Sequence, residues 1–270
     1  IETALPDLRP SEQKVARYVI KNYKKVIYQT VSELADNSYV SDASVMRFVK
    51  SLGFKGFQYF KLALASLHIE DTIPSKIHND IILDIKENIK NNIFTSINDT
   101  FSILRKENIE EAVKYILNAR EIYIVGVAAS GAIGRLLSYK LLRIGIIAKY
   151  ISDTHLQAML ASLIDHNTLL IGISHSGSTI DTVDTLKIAQ NVGAKTICIT
   201  GHVKSPIVKY SNVLLCTYAR EDPLGISQGR SFASQIYVIE TLVACLHSKL
   251  QNKANLARKK TAESVLNKLY

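Results

Sequence analysis

A loop rich in hydroxyl groups, from Ser174 to Thr179, holds the residues best suited to bind a phosphate. It follows the apolar run 169–173 and precedes a stretch of helical periodicity. The hydroxyls of Ser174, Ser176 and Thr179 can converge as donors, and the N–H groups and dipole at the helix start favour an anion. Such a loop can equally be an ordinary turn. The spacing alone leaves both interpretations open.

Two neighbouring residues could complete this anion site. His175 lies between two of the expected donors, so its ring could donate to phosphate or to a sugar hydroxyl, or could point outward. Arg230, near the start of the last long helix, could pair with an anionic group or lie exposed to solvent. We count both among the predicted ligand contacts.

A second set of residues, within 30–50, has the pattern of a helix-turn-helix that reads DNA. Ser41 is placed to cap the second helix, whose outward face is predicted to carry Ser41, Ser44 and Arg47, with Lys50 one turn on. Short hydroxyls permit close approach to the groove, and arginine can grip guanine or phosphate. A packing unit without DNA binding would share this pattern. The apolar positions that pin the two helices are Val31, Leu34, Ala35, Val40, Val45 and Phe48.

The distribution of charge favours the DNA-reading interpretation. The chain of 270 residues has a formal net charge of +9, and basic residues outnumber acidic ones in about the first sixty, where Lys55 adds a further candidate DNA contact. The second basic stretch, in the tail 251–270, is interpreted as solvated surface. The predicted partner of residues 1–67 is a double-stranded DNA operator.

The elements that would position these residues fall into two domains. Helical periodicity fills 11–67, a polar stretch 68–79 is predicted as a linker, and 80–250 alternates short β-branched runs with helices. The expected fold is an all-α helix-turn-helix domain followed by an α/β domain with a five-stranded parallel sheet flanked by helices. The predicted strands are 122–127, 148–151, 169–173, 196–200 and 213–217.

Two helices before the sheet have their own signals. Isoleucines at positions 81, 82, 85, 89 and 93 form an apolar stripe expected to pack against the second domain or a partner subunit. Asn108 and Glu111 have the spacing of a capping box that would open the next helix.

Composition excludes several classes of protein. No run of eighteen apolar residues occurs, which predicts a cytoplasmic protein that does not cross a membrane. The three cysteines, Cys198, Cys216 and Cys245, are an odd number without metal-ligand spacing and are predicted as free thiols. We predict no metal site and no cofactor.

The segment after the second helix resembles a known family. Arg47-Phe48 followed by Leu-Gly-Phe-Lys-Gly-Phe at 52–57 is similar to the RpiR family of sugar-phosphate-responsive regulators. Tyr39 departs from that family, which commonly has Gly or Asn in the turn, so a strained or altered turn is expected there.

The loop at 174–179 resembles the signature Ser-x-Ser-Gly-x-Thr of the sugar isomerase (SIS) domain. The run 124–134 is similar to the opening strand, loop and helix of the same domain, and the resemblance implies that Ser130 lines a sugar-phosphate pocket. Ala128 stands where that family usually has Gly. The glycines at 126, 131 and 134 lack the GxGxxG spacing of a dinucleotide site.

The two motifs together predict a transcription regulator controlled by a phosphorylated sugar. An isomerase is the alternative, but no motif selects an acid or base, although Glu221 and Asp222 could approach the pocket. A scaffold that binds only protein is a third interpretation. A homodimer or homotetramer is expected, because one helix-turn-helix reads only a few base pairs.

Overall fold

The N-terminal part of the molecule is built from four helices. The computed structural model of the chain describes residues 1–72, 81–219 and 229–268. A short 3₁₀ turn, Leu5–Asp7, precedes the four helices. The four helices are α1 (Pro10–Val26), α2 (Val31–Asn37), α3 (Asp42–Ser51) and α4 (Phe57–Thr72).

The helix-turn-helix is α2 and α3, and its predicted core is confirmed. Leu34, Ala35, Val45 and Phe48 are buried, and Val31 and Val40 pack against them. A capping box at Thr30 and Glu33 opens α2, and the Ser41 hydroxyl accepts from the Ser44 N–H to open α3.

Tyr39, in the turn between these helices, adopts the left-handed backbone with φ 55°. Because its side chain is 87% exposed, little packing offsets this strain. We expect Tyr39→Asn to raise the free energy of unfolding of the N-terminal domain by about 0.5–1 kcal/mol in a urea titration. Tyr59→Asn, an exposed position on α4, is the matched control and should give no gain. A loss of stability in Tyr39→Asn would contradict the strain argument.

The second part of the molecule is a five-stranded parallel sheet with helices around it, as predicted. The strand order is β2-β1-β3-β4-β5, and every neighbouring pair is parallel. The strands are β1 (Glu121–Val125), β2 (Ala148–Ile151), β3 (Thr168–Ile173), β4 (Lys195–Thr200) and β5 (Val213–Cys216). The helices are α5 (Ile81–Ile103), α6 (Lys106–Asn118), α7 (Ala128–Arg143), α8 (Thr154–Leu163), α9 (Ile180–Asn191), α10 (Gly229–Leu250) and α11 (Asn252–Glu263).

Successive side chains of each strand point to opposite faces of the sheet, and both faces are buried. In β1, Ile122 and Ile124 join a core with residues of α6, α7 and α10, whereas Tyr123 and Val125 join a second core with residues of α8 and α9. Strands covered on both sides must be apolar at almost every position, and β3 is buried throughout. Two buried layers therefore hold the strand ends in fixed positions.

The chain divides into two compact units, Ile1–Asn92 and a second that contains Ile93–Ala219 and continues from Ser231. The division falls inside α5, later than the predicted boundary at residue 80, which stays a prediction. Residues 73–79 of the predicted linker lie outside the described residues, and its first part is helical because α4 continues to Thr72. On α5, Ile82, Ile85 and Ile89 are exposed.

One local prediction was wrong. Asn108 does not cap α6, because its side-chain N–H₂ donates to the carbonyl of Leu214 at 2.8 Å and the helix already begins at Lys106. A 3₁₀ turn, Pro206–Tyr210, lies between β4 and β5. The basic tail contains a helix that the sequence did not predict, α11, which buries Ala254 but leaves its lysines and arginine exposed, in agreement with a solvated surface.

The cysteines are free thiols, as predicted. Burial raises the pKa of Cys198 to about 12 and that of Cys216 to about 11, which keeps both protonated. Within the described ranges, no group of three His, Cys, Asp or Glu side chains could hold a metal ion. No described helix is long and apolar enough to cross a membrane.

Candidate phosphosugar site and DNA-reading face

The two serine-containing segments, the start of α7 and the loop 174–179, lie at neighbouring strand ends. From β1 the chain crosses to β2 on one side, whereas β3, β4 and β5 follow on the other side, so the winding direction reverses between β1 and β3. In open parallel sheets, ligands bind in the crevice at such a reversal, outside the carboxyl ends of the strands. Ser130 lies in the first turn of α7, which follows β1, and the loop after β3 contains 174–179, so both predicted segments lie at this point.

Hydrogen bonds shape the loop after β3 into a compact turn. Ser174 is buried, and its hydroxyl lies 3.2 Å from that of Thr179. The Ser176 hydroxyl is exposed and accepts from the N–H of Ser178 at 3.3 Å. Gly177 donates its N–H to the Ser174 carbonyl at 3.0 Å. The predicted donors are therefore together in one turn, with Ser176 at its surface.

Ser130 joins the two loops. Its hydroxyl accepts from the N–H of His175 at 3.4 Å. The preceding turn is strained, because Ala128 has φ 51°, a conformation that glycine adopts at lower cost. The departure at Ala128 thus places a residue with a methyl group in the left-handed conformation, at an exposed position.

Both helices that begin at these loops lack a side-chain cap. Val127 precedes α7 and has no capping oxygen, and Thr179 precedes α9 without capping it. The first N–H groups of a helix need an acceptor, and an anion can supply it. The edge between β1 and β3 therefore combines two helix N-termini with several hydroxyls.

The ring of His175 packs against Gly201, which directly follows β4. A Cβ at Gly201 would lie 2.8 Å from Cε1 of His175, so the ring packs against that backbone, and its centroid is 5.8 Å from that of His202. Sequence reasoning missed His202 and Ser178, because neither belongs to the matched signature. Arg230, partly buried, is the second residue of α10 and groups with the N-terminal unit, so its approach to the ligand stays a prediction.

On the DNA-reading face, Ser41, Arg47, Lys50 and Lys55 are exposed as predicted, whereas the placement of Ser44 was wrong. Ser44 is only 4% exposed, because its hydroxyl lies 3.1 Å from that of Ser41 and accepts from Nη2 of Arg47 at 2.8 Å. Ser44 therefore contacts Arg47 and the capping residue of α3, Ser41, and does not face solvent.

Comparison with known proteins identifies the family. Residues 1–69 match the helix-turn-helix domain of the rpiR family, and residues 115–245 match the SIS domain. An HTH-type transcriptional regulator of Haemophilus influenzae is 31% identical over 96% of this chain and 92% of that protein. The chain belongs to the RpiR family. The HTH-type transcriptional regulator RpiR of Escherichia coli K12 is 29% identical over 94% of this chain and 87% of that protein.

A solved structure extends the likeness to the whole chain. The Vibrio vulnificus NanR protein complexed with ManNAc-6P has a TM-score of 0.90 and 27% identity, covering 100% of this chain and 98% of that one. The predicted fold class, a helix-turn-helix domain plus an SIS domain, is confirmed. The chain is an RpiR-type transcriptional regulator, and the relatives that it matches along most of its length are named as HTH-type transcriptional regulators.

Proposed function

We propose that this regulator binds operator DNA through α3 and that a phosphorylated sugar, bound at the edge between β1 and β3, changes its affinity for DNA. The observation that carries the proposal is that the start of α7, with Ser130, meets the loop 174–179 at the point where the sheet reverses direction. Ser130, Ser174, His175, Ser176 and Thr179 are the proposed contacts there.

The chemistry of this edge favours a phosphomonoester. A phosphate offers three acceptor oxygens and a negative charge, which suit several hydroxyl donors and two helix N-termini. Amino-sugar phosphates are the first candidates, because the NanR structure contains ManNAc-6P. Arg230 is a further proposed contact, as a cation for an anionic group.

Regulation then requires only differential binding. A ligand that prefers one of two states shifts their populations, and couplings of about 1–3 kcal/mol change affinity roughly 5- to 150-fold. A homodimer or homotetramer would pair two recognition helices on two half-sites. The exposed isoleucines of α5 offer an apolar stripe for such pairing.

The test is an operator titration with a panel of sugar phosphates. A duplex selected from a random library by the protein is titrated with and without hexose 6-phosphates and N-acetylated amino-sugar phosphates. We expect one phosphate to change the operator Kd by roughly 5- to 150-fold, without turnover and without the same effect from the unphosphorylated sugar. The stoichiometry of the complex reports the pairing of chains.

A serine variant localises the response. Ser176→Ala should weaken the effect of the sugar phosphate and leave DNA affinity unchanged in its absence, because Ser176 lies at the surface of the turn. Ser162→Ala, an exposed serine on α8, is the matched control. An unchanged response in Ser176→Ala would argue against this loop, and turnover of the sugar phosphate would favour the isomerase.

A further inference from the structure

Beneath the exposed face of α3 lies a buried carboxylate, that of Glu12. Glu12 belongs to the first turn of α1, and its side chain is 5% exposed. One of its oxygens, Oε1, lies 3.8 Å from Nε of Arg47, and the other accepts from the hydroxyl of Ser51 at 3.2 Å. Burying a carboxylate is costly unless it is paired. Both partners of this carboxylate come from α3.

Arg47 is consequently held at two points. Its Nη2 donates to Ser44 at 2.8 Å, its Nε lies beside Glu12, and 47% of the side chain remains exposed. An arginine already fixed in one conformation loses less rotamer freedom when its planar fork meets a base edge. Glu12 and Ser44 thus select one direction for the guanidinium on the outward face of α3.

We propose that Glu12 is a positioning residue for sequence recognition. Glu12 holds Arg47 in the conformation that contacts a base, and its negative charge offsets the positive charge of the arginine. Arg47 therefore increases the preference for the operator sequence more than it increases affinity for the phosphates of any DNA. The inference rests on the proposed DNA binding by α3. A carboxylate in the first turn also favours the α1 dipole, and that structural role alone would affect stability without affecting sequence discrimination.

Two substitutions of Glu12 distinguish the effect of its charge from the effect of its side-chain length. Glu12→Gln keeps the shape and removes the charge. We expect the ratio of operator affinity to scrambled-duplex affinity to fall about five- to tenfold. Affinity for the scrambled duplex should rise and its salt dependence should steepen by about one counterion, since Arg47 becomes free to bind phosphate. Glu12→Asp keeps the charge but is shorter, so it should lower the ratio with little change in salt dependence.

Control variants test whether Glu12 changes the affinity ratio through Arg47. Glu2→Gln removes the same charge at an exposed position of the same unit and should leave the ratio unchanged. In an Arg47→Ala background, Glu12→Gln should no longer change the ratio. Thermal unfolding checks that each variant is folded at the assay temperature; if Glu12→Gln is not, Glu12→Asp decides.

The outcomes separate this inference from the proposed function. If the wild-type protein selects no operator, both are overturned. If it selects one and a folded Glu12 variant keeps the full ratio, or changes it equally without Arg47, the positioning role is overturned and DNA binding stands.

Discussion

Gly177→Ala is expected to remove the response to sugar phosphate. Gly177 has φ 61°, which costs a residue with a Cβ about 1–2 kcal/mol. The new Cβ would also lie 1.9 Å from the Ser205 hydroxyl oxygen and 2.7 Å from that of Thr200. Ser205 cannot yield easily, because it is buried and donates to the His202 carbonyl at 2.6 Å. The turn itself must therefore move.

The loss should appear in ligand binding and in stability. Displacing Ser176 and the start of α9 removes hydrogen bonds to a charged group, each of which is worth about 1.5–3 kcal/mol. We expect affinity for the sugar phosphate to fall at least about tenfold by calorimetry. The free energy of unfolding of the SIS domain should fall by about 2–4 kcal/mol.

Gly193→Ala is the matched control for this prediction. Gly193 also has positive φ, 87°, but a Cβ there would meet nothing closer than the His166 Cβ at 3.9 Å. It should share the backbone penalty and keep the affinity for sugar phosphate. Undiminished binding in Gly177→Ala would place the ligand elsewhere.

The sheet could be predicted from the sequence because its signal is local. A strand buried on both faces must be apolar at almost every position, as β3 is, and all five predicted runs match strands within a few residues. The hydroxyl-rich loop was recognisable for the same reason, since Ser174, Ser176 and Thr179 lie in one short segment. Parallel order then places the ends of β1 and β3 at the same edge.

Contacts between distant residues could not be predicted. Asn108 has the spacing of a cap, but its side chain reaches the carbonyl of Leu214, 106 positions away. Ser44 was assigned to the outward face by helical periodicity, whereas the guanidinium of Arg47 folds back over it. The same guanidinium lies 3.8 Å from Glu12, which is 35 positions before Arg47 in the sequence.

The two departures from the family patterns were visible in the sequence, and the structure gives their physical meaning. Tyr39 and Ala128 both adopt positive φ, so each holds a backbone conformation that glycine would adopt at lower cost. A residue with positive φ therefore lies shortly before α3, which carries Arg47, and another is the first residue of α7, which carries Ser130. Helix α11 was missed because its charges dominate the pattern and only Ala254 is buried.

Arg47→Ala is expected to reduce operator binding more than any other single change on α3. A well-placed arginine is worth about 1–3 kcal/mol of discrimination, so operator affinity should fall roughly 5- to 150-fold. Affinity for a scrambled duplex should change little, because the Glu12 carboxylate already offsets the charge of Arg47. Titration of both duplexes at several salt concentrations measures each effect.

Lys50→Ala provides the contrast on the same helix. Lys50 is exposed, and the described contacts include no ion pair for it. Its loss should weaken binding to both duplexes alike and lower the salt dependence by about one counterion.

If Arg47→Ala behaved in this way, Arg47 would bind phosphate instead of a base. If it left operator affinity unchanged, α3 would not be the reading helix. Since Arg47→Ala also leaves Glu12 buried without its cation, the Arg47→Ala, Glu12→Gln double variant separates a loss of stability from a loss of recognition.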